Sequence, residues 1–215
     1  MAELLYEGKA KQVYKTEKED EYLIHYKDDA TAGNGVKHDK FEGKGVLNNT
    51  ISCIIFDMLE EAGIKTHMIK KLNERDILVK KVDIFPLEVI IRNITTGSFC
   101  RRLGAPEGIV LDEPIFEMSY KNDEYGDPLI NDDHAVALKL ATREELAYIK
   151  ETTLKINELL KEFFLSMNLK LVDFKIEFGK TADGTILLAD EISPDSCRLW
   201  DVDTCLLYTS PSPRD

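Results

Sequence analysis

The sequence predicts an α+β chain, with short strands first and longer helices later, folded as one domain or as two small lobes. Three observations predict it. The first third alternates strand-like runs with glycine turns, residues 142–168 carry one apolar stripe at helical spacing, and residues 171–190 read as a β-hairpin. The length of 215 residues suits one ordinary domain or two small lobes. An apolar content of 43% excludes a wholly disordered or fibrous chain.

In chain order, residues 4–6, 12–16 and 21–27 read as strands, with Gly8 and Gly33-Asn34-Gly35 as loops between strand-like segments. A helix is expected from about Val46 to Ala62, because Leu47, Ile51, Ile54, Ile55, Met58 and Leu59 recur at three- and four-residue steps and Gly63 follows. Strands are expected near 77–82 and 87–92, with Phe85-Pro86 as a hinge. Residues 98–135 read as turn-rich, through Gly104, Pro106, Gly108, Pro114, Gly126 and Pro128. The firmest helix follows. Thr142 and Glu145 form a capping box, and Leu146, Ile149, Ile156, Leu159, Leu160, Phe163 and Phe164 make one apolar face that ends before Asn168.

The charge balance narrows the partners. Forty acidic residues against 28 basic ones give a net charge of −12, a field that argues against a dedicated nucleic-acid binder. A phosphate-bearing ligand then needs a local basic patch. No apolar run approaches the ~20 residues that cross a bilayer, so no membrane partner is expected. Residues 1–9 lack the order of a signal peptide. Cys53, Cys100, Cys197 and Cys205 are scattered without a CxxC pair, which points to reduced thiols and a cytoplasmic chain. His25, His38, His67 and His134 show no metal-ligand spacing and are given no catalytic role.

The segment Leu171-Val172-Asp173-Phe174-Lys175-Ile176-Glu177-Phe178 alternates strictly. Val172, Phe174, Ile176 and Phe178 are expected in the core, with Asp173, Lys175 and Glu177 on the opposite face. Asp183-Gly184 reads as a two-residue hairpin turn leading into Ile186–Asp190. Counting back from that turn sets Glu177 opposite Asp190, with side-chain origins ~5 Å apart. Two carboxylates so placed repel unless a cation lies between them. Oxygen ligands of this kind suit Mg²⁺, which takes one or two carboxylates plus phosphate oxygens and waters. Read from residues alone, the same face is equally a solvated edge of a surface hairpin.

Two basic patches stand out in so acidic a chain. Gly8-Lys9-Ala10-Lys11 joins two strand-like runs, and its amides and ammonium groups could cover a triphosphate, although a plain surface hairpin has the same composition. Arg92 through Arg102 holds three of the seven arginines in eleven residues, next to Gly97-Ser98. Arginine binds phosphate in a fork, and Arg198 lies just past the carboxylate hairpin. A surface salt-bridge cluster is the competing reading.

Taken together, these motifs resemble the SAICAR synthetase family. The resemblance rests on Gly8-Lys9-Ala10-Lys11, Ala32–Gly35, Gly43-Lys44-Gly45 through Asn48-Asn49, Arg92-Asn93 with Gly97-Ser98, Asp173–Gly179, and Asp190–Asp195 through Arg198-Leu199-Trp200, in that order. It spans residues 3–201. It implies a two-lobed α+β fold, similar in plan to protein kinases, with ATP in the interlobe cleft. The kinase signatures themselves are absent. The implied division is 1–84 as a β-rich ATP-binding lobe, 85–201 as an α+β lobe with the metal and substrate sites, and 202–215 as a tail foreign to the family. The implied activity is an ATP-dependent ligation of L-aspartate to the carboxylate of carboxyaminoimidazole ribonucleotide in purine biosynthesis, through an acyl phosphate.

The resemblance also implies roles. Gly8, Lys9, Ala10 and Lys11 would contact ATP phosphates, Val13 would cover the adenine, and the backbone near Ile84 would read its edge. Glu177 and Asp190 would be the Mg²⁺ ligands, with Lys175 as a charge partner beside them. Arg92, Ser98 and Arg198 would clamp the ribonucleotide phosphate, and Asn34 and Lys121 would lie on the substrate side. Small-molecule substrates are the expected partners, and assembly as a monomer or a homo-oligomer is left open. A small-molecule kinase would share the ATP site and need no aspartate. A non-enzymatic acidic binding protein would leave Glu177 and Asp190 unused. Residues from about Val202, which include the Ser210-Pro211-Ser212-Pro213 run, are expected to be poorly ordered where the family carries a terminal helix.

Overall fold

The computed structural model describes residues 3–32 and 37–204. Two compact units are present. The first takes the chain to Asp83 together with Gly179–Asp195, and the second takes Ile84–Phe178 and the segment from Ser196. The chain is therefore not cut once near residue 84, because the arm from Gly179 to Asp195 groups with the first unit.

In the first unit, β1 (Leu4–Glu7), β2 (Lys11–Lys15) and β3 (Glu21–Tyr26) form an antiparallel meander. After the short pair β4 (Asp29–Ala32) and β5 (Lys37–Lys40), the helix α1 (Lys44–Glu61) leads to β6 (Met68–Lys71) and β7 (Asp76–Lys80). The sheet order is β1-β2-β3-β7-β6. Ile24 faces Ile77 and Tyr22 faces Val79, so one face of β3 and β7 is apolar, and α1, which packs on β3 and β6, buries Ile55, Phe56 and Leu59.

The N-terminus of α1 is anchored by Asp28. This carboxylate accepts the Gly45 N–H at 2.9 Å and two guanidinium N–H groups of Arg75 at 2.8 Å each. An anion there meets the positive end of the helix dipole. Arg75 and the Gly45 amide hold the Asp28 carboxyl well below the usual range.

The expected helix is present, but only part of its apolar repeat is buried: Ile55 and Leu59 are in the core. Leu47 and Ile54 are 62% and 50% exposed, and Ile51 and Met58 are half-buried. The helix instead buries Asn48, Asn49, Ser52 and Cys53 beside Ile55, Phe56 and Leu59.

After the short β8 (Asp83–Ile84), the second unit holds β9 (Leu87–Ile94), α2 (Gly97–Leu103), β10 (Val110–Tyr120), β11 (Leu129–Ile130), α3 (Asp132–Ala137) and α4 (Arg143–Leu165). Then come β12 (Leu169–Lys180), β13 (Ile186–Ala189), whose residues belong to the first unit, and β14 (Cys197–Asp201). The strands β11, β10, β9, β12 and β14 run antiparallel in that order. The turn-rich reading of 98–135 missed β10, whose alternation is broken by Asp112-Glu113-Pro114. The register of β10 shifts between Val110 and Ile115, where that proline sits.

The helix α4 follows its sequence. The Thr142–Glu145 capping box is formed, and Leu146, Ile149, Ile156, Leu160 and Phe164 are buried. Leu159 and Phe163 are half-buried at the edge of the stripe. On β12, Val172, Phe174, Ile176 and Phe178 are in the core as the alternation requires.

The turn after β12 corrects the count made from the sequence. Thr181 N–H donates to Thr185 O at 2.9 Å, and Gly184 N–H donates to Thr181 O at 2.9 Å. The loop is thus Ala182-Asp183-Gly184, with Gly184 at φ +86°, one residue longer than a two-residue turn. A one-residue slip exchanges the faces of a strand, so the Glu177–Asp190 facing derived from the two-residue loop does not hold. Asp190 adopts φ +64°, which takes it out of regular strand geometry.

Candidate functional site

The first unit gathers its charge around Lys11. The Gly8–Lys11 turn is closed by Gly8 N–H to Lys11 O at 2.8 Å, and Lys27 N–H binds Ala10 O at 2.8 Å. Lys9 is exposed, whereas Lys11 turns inward and pairs with Asp190. Lys11 also lies 4.0 Å from Glu191 and over the ring of Tyr26, 5.8 Å from its centroid. Burial works to lower the Lys11 pKa, but Asp190 and Glu191 outweigh it and hold the ammonium well above its ordinary value. Burial pushes the Glu191 carboxyl up to about 7, with Lys11 opposing and Asp190 and Asp195 reinforcing the shift. Val13 is half-buried on β2 opposite Ile24. His67 is buried edge-on against Phe56 at 5.6 Å, and burial, helped by Lys11, lowers its pKa to about 3.

The second unit builds its site from register. Asp173 on β12 is opposed by Arg92 on β9 and by Arg198 on β14, so three charged residues form one row across three strands. Arg92 Nη1 donates to Asp173 Oδ2 at 3.0 Å and Arg198 Nε to Asp173 Oδ1 at 2.9 Å. Asp173 is 0% exposed, a burial that an unpaired carboxylate could not tolerate. Arg92 also donates from Nε to Glu117 at 2.7 Å and from Nη2 to Ser98 Oγ at 3.1 Å. The structure therefore brings Arg92, Ser98 and Arg198 together. Gly97 permits this. It sits at φ +55°, and a Cβ there would lie 2.1 Å from Arg198 Nη1.

Along the same face of β12, Lys175 Nζ bridges Glu88 at 2.8 Å and Glu177 at 3.1 Å. Lys121 holds both oxygens of Glu177, at 2.8 and 2.7 Å. Glu177 is 3% exposed. The mutual repulsion expected of Glu177 and Asp190 is thus not a feature of the fold: lysines neutralise each carboxylate within its own unit. Ile84 is exposed on β8. Asn34 and residues 205–215 lie outside the described residues.

Sequence reasoning missed Asp173 as the organiser of the two arginines, along with Glu88 and Glu117. For Asp173 the alternation of β12 was the available signal. For Glu117 no signal existed, because the strand that carries it was not recognised.

The donor chemistry fits a hard cation. Among the described residues no cluster of three or more His, Cys, Asp or Glu side chains could hold a metal alone. Mg²⁺ does not need one, since it is held by one or two carboxylates with phosphate and water completing its shell. Asp190 and Glu177, already neutralised by lysines, are oxygen donors of that type.

Comparison with known proteins agrees with this chemistry. A family model described as SAICAR synthetase matches residues 4–212. The phosphoribosylaminoimidazole-succinocarboxamide synthase of Finegoldia magna is 67% identical over 202 residues, covering 94% of this chain and 87% of that protein. The crystal structure of the synthase from Ehrlichia chaffeensis superposes with a TM-score of 0.94 at 45% identity, covering 96% of this chain and 89% of that one. A SAICAR synthetase solved in complex with ADP gives 0.92 at 48% identity, covering 95% and 87%.

The fold and its relatives define an ATP-dependent carbon–nitrogen ligase. The chain belongs to the SAICAR synthetase family. Its reaction joins L-aspartate to the carboxylate of carboxyaminoimidazole ribonucleotide in purine biosynthesis, with ADP and phosphate as the other products. No helix among the described residues is long and apolar enough to cross a membrane.

Proposed function

We propose that the chain carries out this ligation with three groups of side chains. The first is the nucleotide group: the Gly8-Lys9-Ala10-Lys11 turn on the phosphates, Val13 against the adenine, and the backbone near Ile84 at its edge. Glu177 and Asp190 are each ligands for Mg²⁺, with Lys175 as a neighbouring cation. Arg92, Ser98 and Arg198 take the ribonucleotide phosphate, with Lys121 and Asn34 on the substrate side. The chain works in the cytoplasm.

The chemistry follows from the substrates. A carboxylate is a poor electrophile, so it is first phosphorylated by ATP to an acyl phosphate. The aspartate amine then attacks the carbonyl carbon, and phosphate leaves with its bonding pair. Phosphoryl transfer depends on positioning and on neutralising the negative charge that spreads over the transferred oxygens. Mg²⁺, when bound, supplies part of that neutralisation. Lys11 supplies a fixed cation of its own, held ionised by Asp190 and Glu191.

The observation that carries this reading is the row Arg92–Asp173–Arg198 with Ser98 beside it. Asp173 and Glu117 fix the forks of Arg92 and Arg198, and Arg102, which donates to Glu117 at 2.8 Å, leaves the cluster with one net positive charge, an arrangement suited to a phosphate. Arg92 has five N–H donors, and three of its contacts are to Asp173, Glu117 and Ser98.

The test is phosphate release measured with each substrate omitted in turn. Release should require ATP, Mg²⁺, L-aspartate and the ribonucleotide together. Sustained release without aspartate would instead mark a kinase or an ATPase.

A further inference from the structure

The helix α1 contradicts its own composition. Its apolar Leu47 and Ile54 face solvent, while Asn48 and Ser52 are buried at 3% and 0% exposure. Lys44, Asn48 and Ser52 are spaced at i, i+4 and i+8 and so share one helix face. Burying such groups costs free energy unless each finds a partner. All three bond to one short loop. Lys44 Nζ and Asn48 Nδ2 both donate to Asp195 Oδ2, the latter at 2.8 Å, and Ser52 Oγ donates to Ile192 O at 3.1 Å. Lys44 donates in addition to Asp29 O at 3.2 Å.

That loop begins with Asp190 and Glu191. Asp190 holds a left-handed backbone, φ +64°, which a non-glycine residue adopts at some cost and keeps only when its surroundings fix it. The loop has no regular secondary structure from Asp190 to Ser193 to fix it from within. Tyr26 adds a second tie, since its ring lies beneath Lys11, 5.8 Å from the ammonium. One network therefore links the α1 face, the loop main chain and the Lys11–Asp190 pair.

We propose that Lys44, Asn48 and Ser52 are positioning residues that set the 190–195 loop, and through it the Asp190 carboxylate, for Mg²⁺–nucleotide binding. The inference rests on the reading of Asp190 as a Mg²⁺ ligand. It assigns a role to the Gly43–Asn49 motif, which neither the nucleotide nor the phosphate assignments use. A helix face serving only stability would bury its leucines and isoleucines. This one grips a loop by directional bonds, which specify position rather than add apolar burial.

The test uses the full chain with Asn48→Ala and Ser52→Ala, and Asp190→Asn as the reference. Calorimetric titration of ADP with and without Mg²⁺ is combined with steady-state KM values and thermal unfolding. In both α1 variants the affinity for ADP with Mg²⁺ should fall about tenfold, as for residues that orient metal ligands. Affinity for ADP without Mg²⁺ and the KM of the ribonucleotide should stay at wild-type values. The proposal is overturned if both variants only lower the unfolding temperature, or weaken every ligand alike, while Asp190→Asn loses its Mg²⁺ dependence. If Asp190→Asn keeps full Mg²⁺ dependence, the reading of Asp190 itself has failed, and the proposal fails with it. Ser52→Ala removes one hydroxyl, so it supplies an answer even if Asn48→Ala does not fold.

Discussion

The two long helices, α1 and α4, are buried by opposite means. The helix α4 lays Leu146, Ile149, Ile156 and Leu160 into the core of its unit, and two of its buried polar side chains bond within the helix or to a strand of the same unit. Thr153 donates to Ile149 O at 2.7 Å, and Asn157 exchanges amide hydrogen bonds with Asn93 on β9 at 2.8 and 3.0 Å. The helix α1 buries aromatic and aliphatic groups only in its second half, and its first half faces the 190–195 loop with Lys44, Asn48 and Ser52. Apolar burial is non-directional and stabilises in proportion to area, whereas hydrogen bonds contribute little net stability and much geometry. One helix is built to hold a core together, the other to hold a loop in place.

Truncation should separate the two most sharply in α4. Ile156→Ala removes a fully buried side chain and should cost about 2–5 kcal/mol. Denaturant unfolding measures it, and the surviving folded protein should keep its substrate KM values. A loss near zero would mean that the α4 stripe is not core.

A smaller loss is expected on α1. Asn48→Ala leaves Asp195 with Lys44 but without its second donor, a cost of about 1–3 kcal/mol by the same measurement. Should Asn48→Ala cost more than Ile156→Ala, the contrast drawn between the helices would be reversed.

Smaller still is the cap. Thr142→Ala removes the oxygen that accepts Glu145 N–H at 3.2 Å and should cost about 1 kcal/mol. The smallest effect belongs to Leu47→Ser on α1, expected within about 0.5 kcal/mol because the side chain is already exposed. A loss of several kcal/mol would mean that Leu47 is buried in solution and that the contrast between the two helices is misdrawn.

These contrasts show where the sequence was legible. The α4 stripe, its capping box and the core face of β12 follow from apolar periodicity, which reports burial when the partner is also apolar. On α1 the periodicity found the helix, and Ile55 and Leu59 of the repeat are buried, but Leu47 and Ile54 are not, because the loop that buries Asn48 and Ser52 lies far away in the chain. The strand β10 was hidden by Asp112-Glu113-Pro114. In the hairpin, Asp183-Gly184 marked the turn correctly but not its length, and one added residue undid the facing of Glu177 and Asp190. The phosphate-binding candidates fared differently. Arg92 and Arg198 stood out by composition, but their common partner Asp173 became evident only from the pairing of β9, β12 and β14.

The most direct test of the account is metal-dependent nucleotide binding at the two assigned carboxylates. Isothermal titration of ADP into the wild-type chain, Glu177→Gln and Asp190→Asn, with and without Mg²⁺, isolates the contribution of the cation. Mg²⁺ should strengthen ADP binding to the wild type, this gain should be lost in both variants, and metal-free ADP binding should persist. A full Mg²⁺ gain in either variant would contradict the assignment of that carboxylate and, with it, the division of labour proposed for the site.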